Sequence, residues 1–187
     1  MIPRLALLAV LIGISGCSSM KPEDFAGRQP KLLIEEYFAG RTKAWGIFQD
    51  RFGQLRRQFE VEIEGAWDEG TLTLVEDFLY DDGETEQRVW RITKRGDHGY
   101  EGQADGVIGV AEGLAYGNAL NWRYRFALKV GDDTWNVTFD DWLFLQSDGV
   151  LINRAEVTKF GIKLGEVTLV FRKVAGAPAQ AAGVAAE

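Results

Sequence analysis

The segments ALNWRYRFALKV (Ala119–Val130) and TWNVTFDDWLFLQ (Thr134–Gln146), joined by Gly131-Asp132-Asp133, decide the fold class. Trp122, Tyr124, Phe126 and Leu128 alternate with Asn121, Arg123, Arg125 and Lys129. Trp135, Val137, Phe139, Leu143 and Leu145 share one face of the second segment. A period of two puts alternate side chains on opposite faces of a strand, so the pair reads as a hairpin with one dry and one wet face. A two-residue Gly131-Asp132 loop would pair Leu128 with Trp135, Phe126 with Val137, Tyr124 with Phe139 and Trp122 with Asp141. Arg123 would then oppose Asp140 on the wet face. A four-residue loop keeps the parity and shifts the partners, whereas a one-residue slip destroys the match.

The same grammar runs from Gly40 to Lys173. Phe59, Val61, Ile63 and Trp67 alternate with Gln58, Glu60, Glu62 and Glu64. Asp68-Glu69-Gly70, Asp81-Asp82-Gly83-Glu84, Arg95-Gly96-Asp97-His98-Gly99 and Ser147-Asp148-Gly149 punctuate the strands with turn chemistry. Consecutive short-turned strands with almost no helix predict an all-β fold, a single antiparallel up-and-down barrel of about eight to ten strands, because closure removes exposed edges. Glu60, Glu62, Glu64, Arg123 and Lys129 on the outward faces argue against a barrel wall facing lipid. The interior of such a barrel holds side chains or one small ligand.

At the other end of the sequence, a basic start (Met1 to Arg4) precedes an apolar run from Leu5 to Ile14 and then Ser15-Gly16-Cys17. The run is too short to cross a ~30 Å hydrocarbon core as a helix, and it has the flanks of a secretory signal. The string resembles a bacterial lipobox, which implies cleavage after Gly16 and lipidation of Cys17. Multiple acyl chains there would give a stable membrane anchor, and Ser18 favours the periplasmic leaflet of the outer membrane by the enterobacterial sorting rule. Residues 1–16 are therefore read as a signal peptide, 17–30 as lipidated cysteine and tether, 31–174 as the barrel domain, and 175–187 as a disordered tail. Lys31 to Phe38 is ambiguous between a turn or two of helix and an extended arm. Cys17 is the only cysteine, so no intramolecular disulfide can form, and the core must hold the fold with 46% apolar residues, six Trp and eleven Phe. A formal charge of −7 leaves no footprint for nucleic acid.

The stretches Gly117 to Tyr124, Phe139-Asp140-Asp141-Trp142, Leu151 to Ala155, Lys159-Phe160-Gly161 and Val167-Thr168-Leu169 resemble the DUF3833 family of bacterial envelope lipoproteins. The likeness covers nearly the whole mature chain except the Ala/Gly-rich tail. It implies a lipocalin-like barrel of unknown function, and the family's association with fatty-acyl modification enzymes leans toward lipid handling.

Chemistry is sparse. A Ser-His-acid or Cys-His triad needs a histidine base, and His98, the only histidine, falls in a turn signal. One histidine without a free cysteine does not make a zinc site, and Asp81 to Glu84 lacks the spacing of a calcium loop. Gly102, Gly106, Gly109, Gly113 and Gly117 follow no phosphate-loop spacing and mark bulges, a bent strand or a flap. No catalytic residue, metal or cofactor is assigned. Polar residues on apolar faces attract most attention. Asp141 lies in phase with Phe139 and Leu143, and Glu76 with Leu72, Leu74, Phe78 and Tyr80; a carboxylate there needs a partner or a raised pKa. Arg154 and Lys159 are available partners. A two-residue loop at Ser147 turns Arg154 inward, and a three-residue loop turns Asn153 inward. Trp122, Tyr124, Phe139, Asp141, Trp142, Asn153, Arg154 and Lys159 are the candidate lining of a pocket for a lipid or other small hydrophobic molecule. The same cluster also reads as an internal ion pair fixing register, or as a general base acting on lipid. A solid-cored scaffold with a protein partner is the alternative to a binding barrel.

Overall fold

The computed structural model describes residues 19–174; the signal segment, Cys17 and residues 175–187 lie outside the described residues. Ten strands follow one another: β1 (Gly40–Asp50), β2 (Leu55–Asp68), β3 (Thr71–Tyr80), β4 (Thr85–Arg95), β5 (Gly99–Gln103), β6 (Val107–Tyr116), β7 (Ala119–Val130), β8 (Asp133–Leu145), β9 (Leu151–Lys159) and β10 (Ile162–Lys173). Each pairs antiparallel with its sequence neighbours, and β10 returns to β1 to close the barrel. The β7–β8 ladder has the register of the two-residue loop, with Leu128 opposite Trp135, Tyr124 opposite Phe139 and Trp122 opposite Asp141. Gly131 supplies the positive φ, 60°, that the tight turn requires.

Alternation sorts most of the wall, although Trp45, Leu79, Leu114 and Ile152 stand exposed on its outer face. Val61, Ile63, Leu72, Leu74, Leu120 and Leu151 are buried inside. Outside, Lys43 bridges Glu60 at 2.7 Å and Glu62 at 3.4 Å, and Arg41 lies 3.7 Å from Glu62. Such exposed pairs contribute little stability; their effect is to keep the outer wall in water.

One end of the barrel is plugged. The ambiguous segment before β1 forms a single helical turn, α1 (Ile34–Tyr37). Leu32, Ile34, Tyr37 and Phe38 sink into the main core cluster, and each large apolar side chain so buried contributes roughly 2 kcal/mol. Lys173 Nζ donates to the carbonyls of Tyr37 at 2.8 Å and Ala39 at 2.5 Å, capping the end of α1. Buried Glu35 accepts a bond from Tyr100 Oη at 2.7 Å and pairs with Lys94, pinning the plug to β4 and β5. Upstream, Phe25 in a 3-10 turn (Pro22–Phe25) packs on the rings of Trp142 and Phe144. The stretch read as a tether thus touches the barrel wall.

The weakest part of the wall is β5. It bonds β4 only through Arg91–Arg95 and β6 only through Gly99–Gly102, and the β6–β7 ladder shifts register between Ile108 and Glu112. Gly102 and Gly113 face the indole of Trp122, and a Cβ at either would run into its ring. These glycines mark a bent, bulged strand.

The plug depends on a close backbone approach at Gly65, where a Cβ would collide with the carbonyl oxygen of Phe38. Gly65→Ala is expected to lower stability by about 2 kcal/mol through this overpacking, measured as a drop in the urea midpoint without loss of the far-ultraviolet β signal.

Candidate functional site

Inward-facing side chains differ between the two ends of the barrel. Around the plug they are fully buried, as Val61, Ile63, Leu72, Leu120 and Leu151 show. Toward the end bearing the β1–β2, β3–β4, β7–β8 and β9–β10 turns, Phe48, Phe59, Phe78, Tyr124, Trp135 and Phe139 point inward yet are only partly buried. At the level between these halves the wall contributes Gly46, Ala44, Ala111 and Ala155. Phe126, Val137 and Val157 are buried among the partly buried aromatics, which themselves keep part of their surface accessible toward the end away from the plug. These aromatics are ordered among themselves: Tyr124 stacks on Phe139 with centroids 5.0 Å apart, and Trp90 meets Tyr124 edge-on at 5.4 Å.

A polar layer crosses the barrel interior. Glu76 on β3 stands directly opposite Arg88 on β4, and Asp141 on β8 opposite Trp122. Arg88 Nη2 donates to Glu86 at 2.5 Å, while its guanidinium lies 5.1 Å from the Phe78 centroid and 4.8 Å from that of Phe126. Burial works against the charge on Arg88, but Glu76 and Glu86 outweigh it and raise its pKa. Glu76 is deep in the barrel yet keeps some accessible surface, as expected for a side chain facing an internal space. Burial pushes its carboxyl up to about 7, with Arg88 opposing and Glu86 adding to the rise. Asp141 is 9% exposed, and its Oδ1 has no hydrogen-bond partner. Burial, helped by the charges of Asp140 and Glu76, pushes Asp141 up to about 8. The Tyr124 hydroxyl between them is raised well above its ordinary value, by burial and then by Asp141. Nearer the mouth, Arg57 stacks 3.5 Å from the Tyr80 centroid and pairs with Asp82 and Glu84.

Of the sequence candidates, Trp122, Tyr124, Phe139, Asp141 and Asn153 face the interior. Lys159 stands at the mouth end of β9, its Nζ 4.0 Å from the Trp135 centroid. Two expectations need correction. The β8–β9 loop runs from Gln146 to Val150, an odd length, so Asn153 turns in and Arg154 out; Arg154 instead bonds Glu166 on the outer wall at 2.5 and 2.7 Å. Trp142 also lies outside, covered by Phe25. The cation that meets the inner carboxylates is Arg88, missed in the sequence although it is in phase with Trp90 and Ile92. Two surface grooves, of about 410 Å³ beside Arg125, Thr138 and Lys159 and about 380 Å³ beside Val89, Arg91 and Asp105, are lined mainly from the outer face. Neither reaches the polar layer. His98 stacks on Tyr116 at 3.9 Å, and its Nδ1 is 2.8 Å from the Ala115 carbonyl oxygen, a structural role. Among the described residues no cluster of His, Cys, Asp or Glu is disposed to hold a metal.

Residues 11–173 match the family described as "Protein of unknown function (DUF3833)". Ten chains of solved structure are similar. One, the S-type phycobiliprotein lyase CPES from Guillardia theta, superposes with a TM-score of 0.57 at 9% identity over 77% of this chain and 92% of that one. At such identity the likeness is one of fold, a lipocalin-like barrel. No curated protein matches the chain.

Glu76 and Asp141 have raised pKa values in the folded state, so the fold binds protons that the unfolded chain releases. Stability must therefore fall as pH rises from the ordinary carboxylate range through about 7 for Glu76 and about 8 for Asp141, by roughly 1.4 kcal/mol per pH unit for each group. Glu35, Asp50, Asp82 and Glu166 are lowered and act oppositely, below their ordinary values. The urea midpoint is expected to be highest near pH ~5 and to decline by pH ~8, with a shallower decline in Asp141→Asn. A midpoint that rises over that interval contradicts the assignment.

Proposed function

We propose that this chain, which belongs to the DUF3833 family, is a lipid-anchored envelope protein whose barrel binds a small amphipathic molecule. The apolar part of the ligand lies among Phe59, Phe78, Tyr124 and Phe139, and its polar end meets the Glu76, Arg88 and Asp141 layer. One observation carries this reading: Phe48, Phe59, Phe78, Tyr124, Trp135 and Phe139 point inward around the buried Phe126, Val137 and Val157 yet keep accessible surface, whereas inward Val61, Ile63, Leu72 and Leu151 at the plugged end keep almost none. A barrel built only to pack on itself would bury both halves alike. Ligand sites have the same make-up, an apolar chamber with a few convergent polar groups.

Two further features support it. The mouth presents Phe160, 93% exposed on a left-handed backbone with φ 53°, and Phe52, 72% exposed. A bulky residue in that conformation on a solvent-facing turn costs stability and is suited to contact with apolar material. The lipobox ending at Cys17 supplies the address, the periplasmic face of the outer membrane. Phe25 docks beside Trp142 and Phe144, and Gly117 meets Phe25 and Arg28, so the first described residues approach the barrel at its plugged end.

Detergent-free protein is expected to take up the neutral fluorophore N-phenyl-1-naphthylamine saturably, one per barrel, read by fluorescence titration and native mass spectrometry. Absence of saturable uptake favours a solid scaffold and sinks the binding reading. Cells fed an alkynyl palmitate are expected to label the wild type and not Cys17→Ser; equal labelling of both removes the anchor.

A further inference from the structure

We infer that the barrel interior, taken as the binding chamber proposed above, selects amphiphiles whose polar end is a protonated amine over those ending in a carboxylate. Acidic side chains outnumber basic ones around the polar layer. Glu76 and Asp141 face inward, with Glu86 nearer the mouth, and Arg88 is the cation among them. That cation is already engaged. Its Nη2 is bonded to Glu86, Glu76 stands opposite it across the ladder, and Phe78 and Phe126 lie against it. Its buried Nε has no acceptor, but the guanidinium as a whole has two carboxylates for counter-charge. Asp141 has none of its own. Arg123, the nearest base along the β7–β8 hairpin, is on the outer wall and bonded to Asp140.

Asp141 Oδ1 is therefore a buried acceptor with no donor, on an inward strand position between Phe139 and Leu143 and beside Ala155. An unmet buried acceptor is costly, and a donor carried in by a ligand recovers that cost. An ammonium group satisfies it with opposite charge in a low-dielectric surrounding. A carboxylate placed there finds an arginine already shared between two carboxylates, and it is repelled by Glu76 and Asp141 to the extent that they are ionised. The raised value of Asp141, about 8, is consistent: without a cation, burial favours its neutral form. The ammonium takes the place of that proton.

The test displaces N-phenyl-1-naphthylamine from the full mature protein with dodecylamine, dodecanol and dodecanoate, three heads on one chain length, below micelle-forming concentrations at neutral pH. The amine is expected to reach half-displacement at a concentration at least about tenfold below the acid, with the alcohol between them. Asp141→Asn should cut the amine-to-acid ratio to about threefold or less. Glu76→Gln, which frees Arg88 to meet a carboxylate, should narrow the same ratio and serves the comparison if Asp141→Asn does not fold. Equal or tighter binding of dodecanoate overturns the inference while leaving the binding chamber standing. A ratio unchanged in folded variants overturns the roles given to these residues. If the fluorophore itself is not taken up, the chamber falls and the inference with it.

Discussion

Closure of the sheet through the β1–β10 ladder is the constraint on which the rest depends. With Ala44 opposite Phe171, Gly46 opposite Leu169 and Phe48 opposite Val167, the last strand hands its inward parity to the first without a mismatch. Every strand's alternation then refers to a single interior, and a one-residue error in any ladder would send an apolar set into water. Closure also sets what the interior can be. A ring of ten strands is wider than its own side chains need fill, so material must enter from elsewhere. At one end that material is Leu32, Ile34, Tyr37 and Phe38 from the segment before β1.

The asymmetry of the interior follows. Glu35, Lys94 and Tyr100 lock the plugged end, where the charge pair is short and shielded. The open end has no equivalent insert among the described residues, and its aromatics stack on each other. Between the two lies the layer of Glu76, Arg88 and Asp141, placed where water is scarce and charge is expensive. Natural cores avoid such groups unless they serve register, switching or recognition. Arg88 and Glu76 stand opposite each other, which suits register. Asp141, with an orphan oxygen, makes no such pair, and this is the observation behind the recognition role proposed for it.

Much of this was legible in the chain. Period-two alternation and turn chemistry give the strands, the barrel and the β7–β8 parity, because Trp122 to Leu128 and Trp135 to Leu145 admit one dry face; the two-residue loop that sets the partners is one of two lengths compatible with that parity. Asp141 stands out for the same reason. Other features needed tertiary information. Lys31 to Phe38 fits a helix or a strand equally well, and only an open barrel end to be filled makes it a helical plug. Arg154 and Asn153 exchange sides with one residue of loop, and Gln146 to Val150 chose between them. Trp142 reads as a lining residue until Phe25, placed by sequence in a tether, is seen to cover it from outside. Arg88 sits in a polar run, Thr85 to Arg88, that shows no alternation of its own, and its inward phase is visible only by counting back from Trp90 and Ile92.

Thiol reactivity tests the central claim, a barrel filled at one end and open at the other, most directly. In a Cys17→Ser background, single cysteines at Phe139 and at Val61 place a thiol in each half, both inward by register. Phe139→Cys should react with a small maleimide in the folded protein at a rate near that of an exposed thiol, and Val61→Cys should be protected by a factor of about a hundred or more, as for groups reached only through unfolding. Equal protection at both positions would mean a uniformly solid interior and would contradict the account.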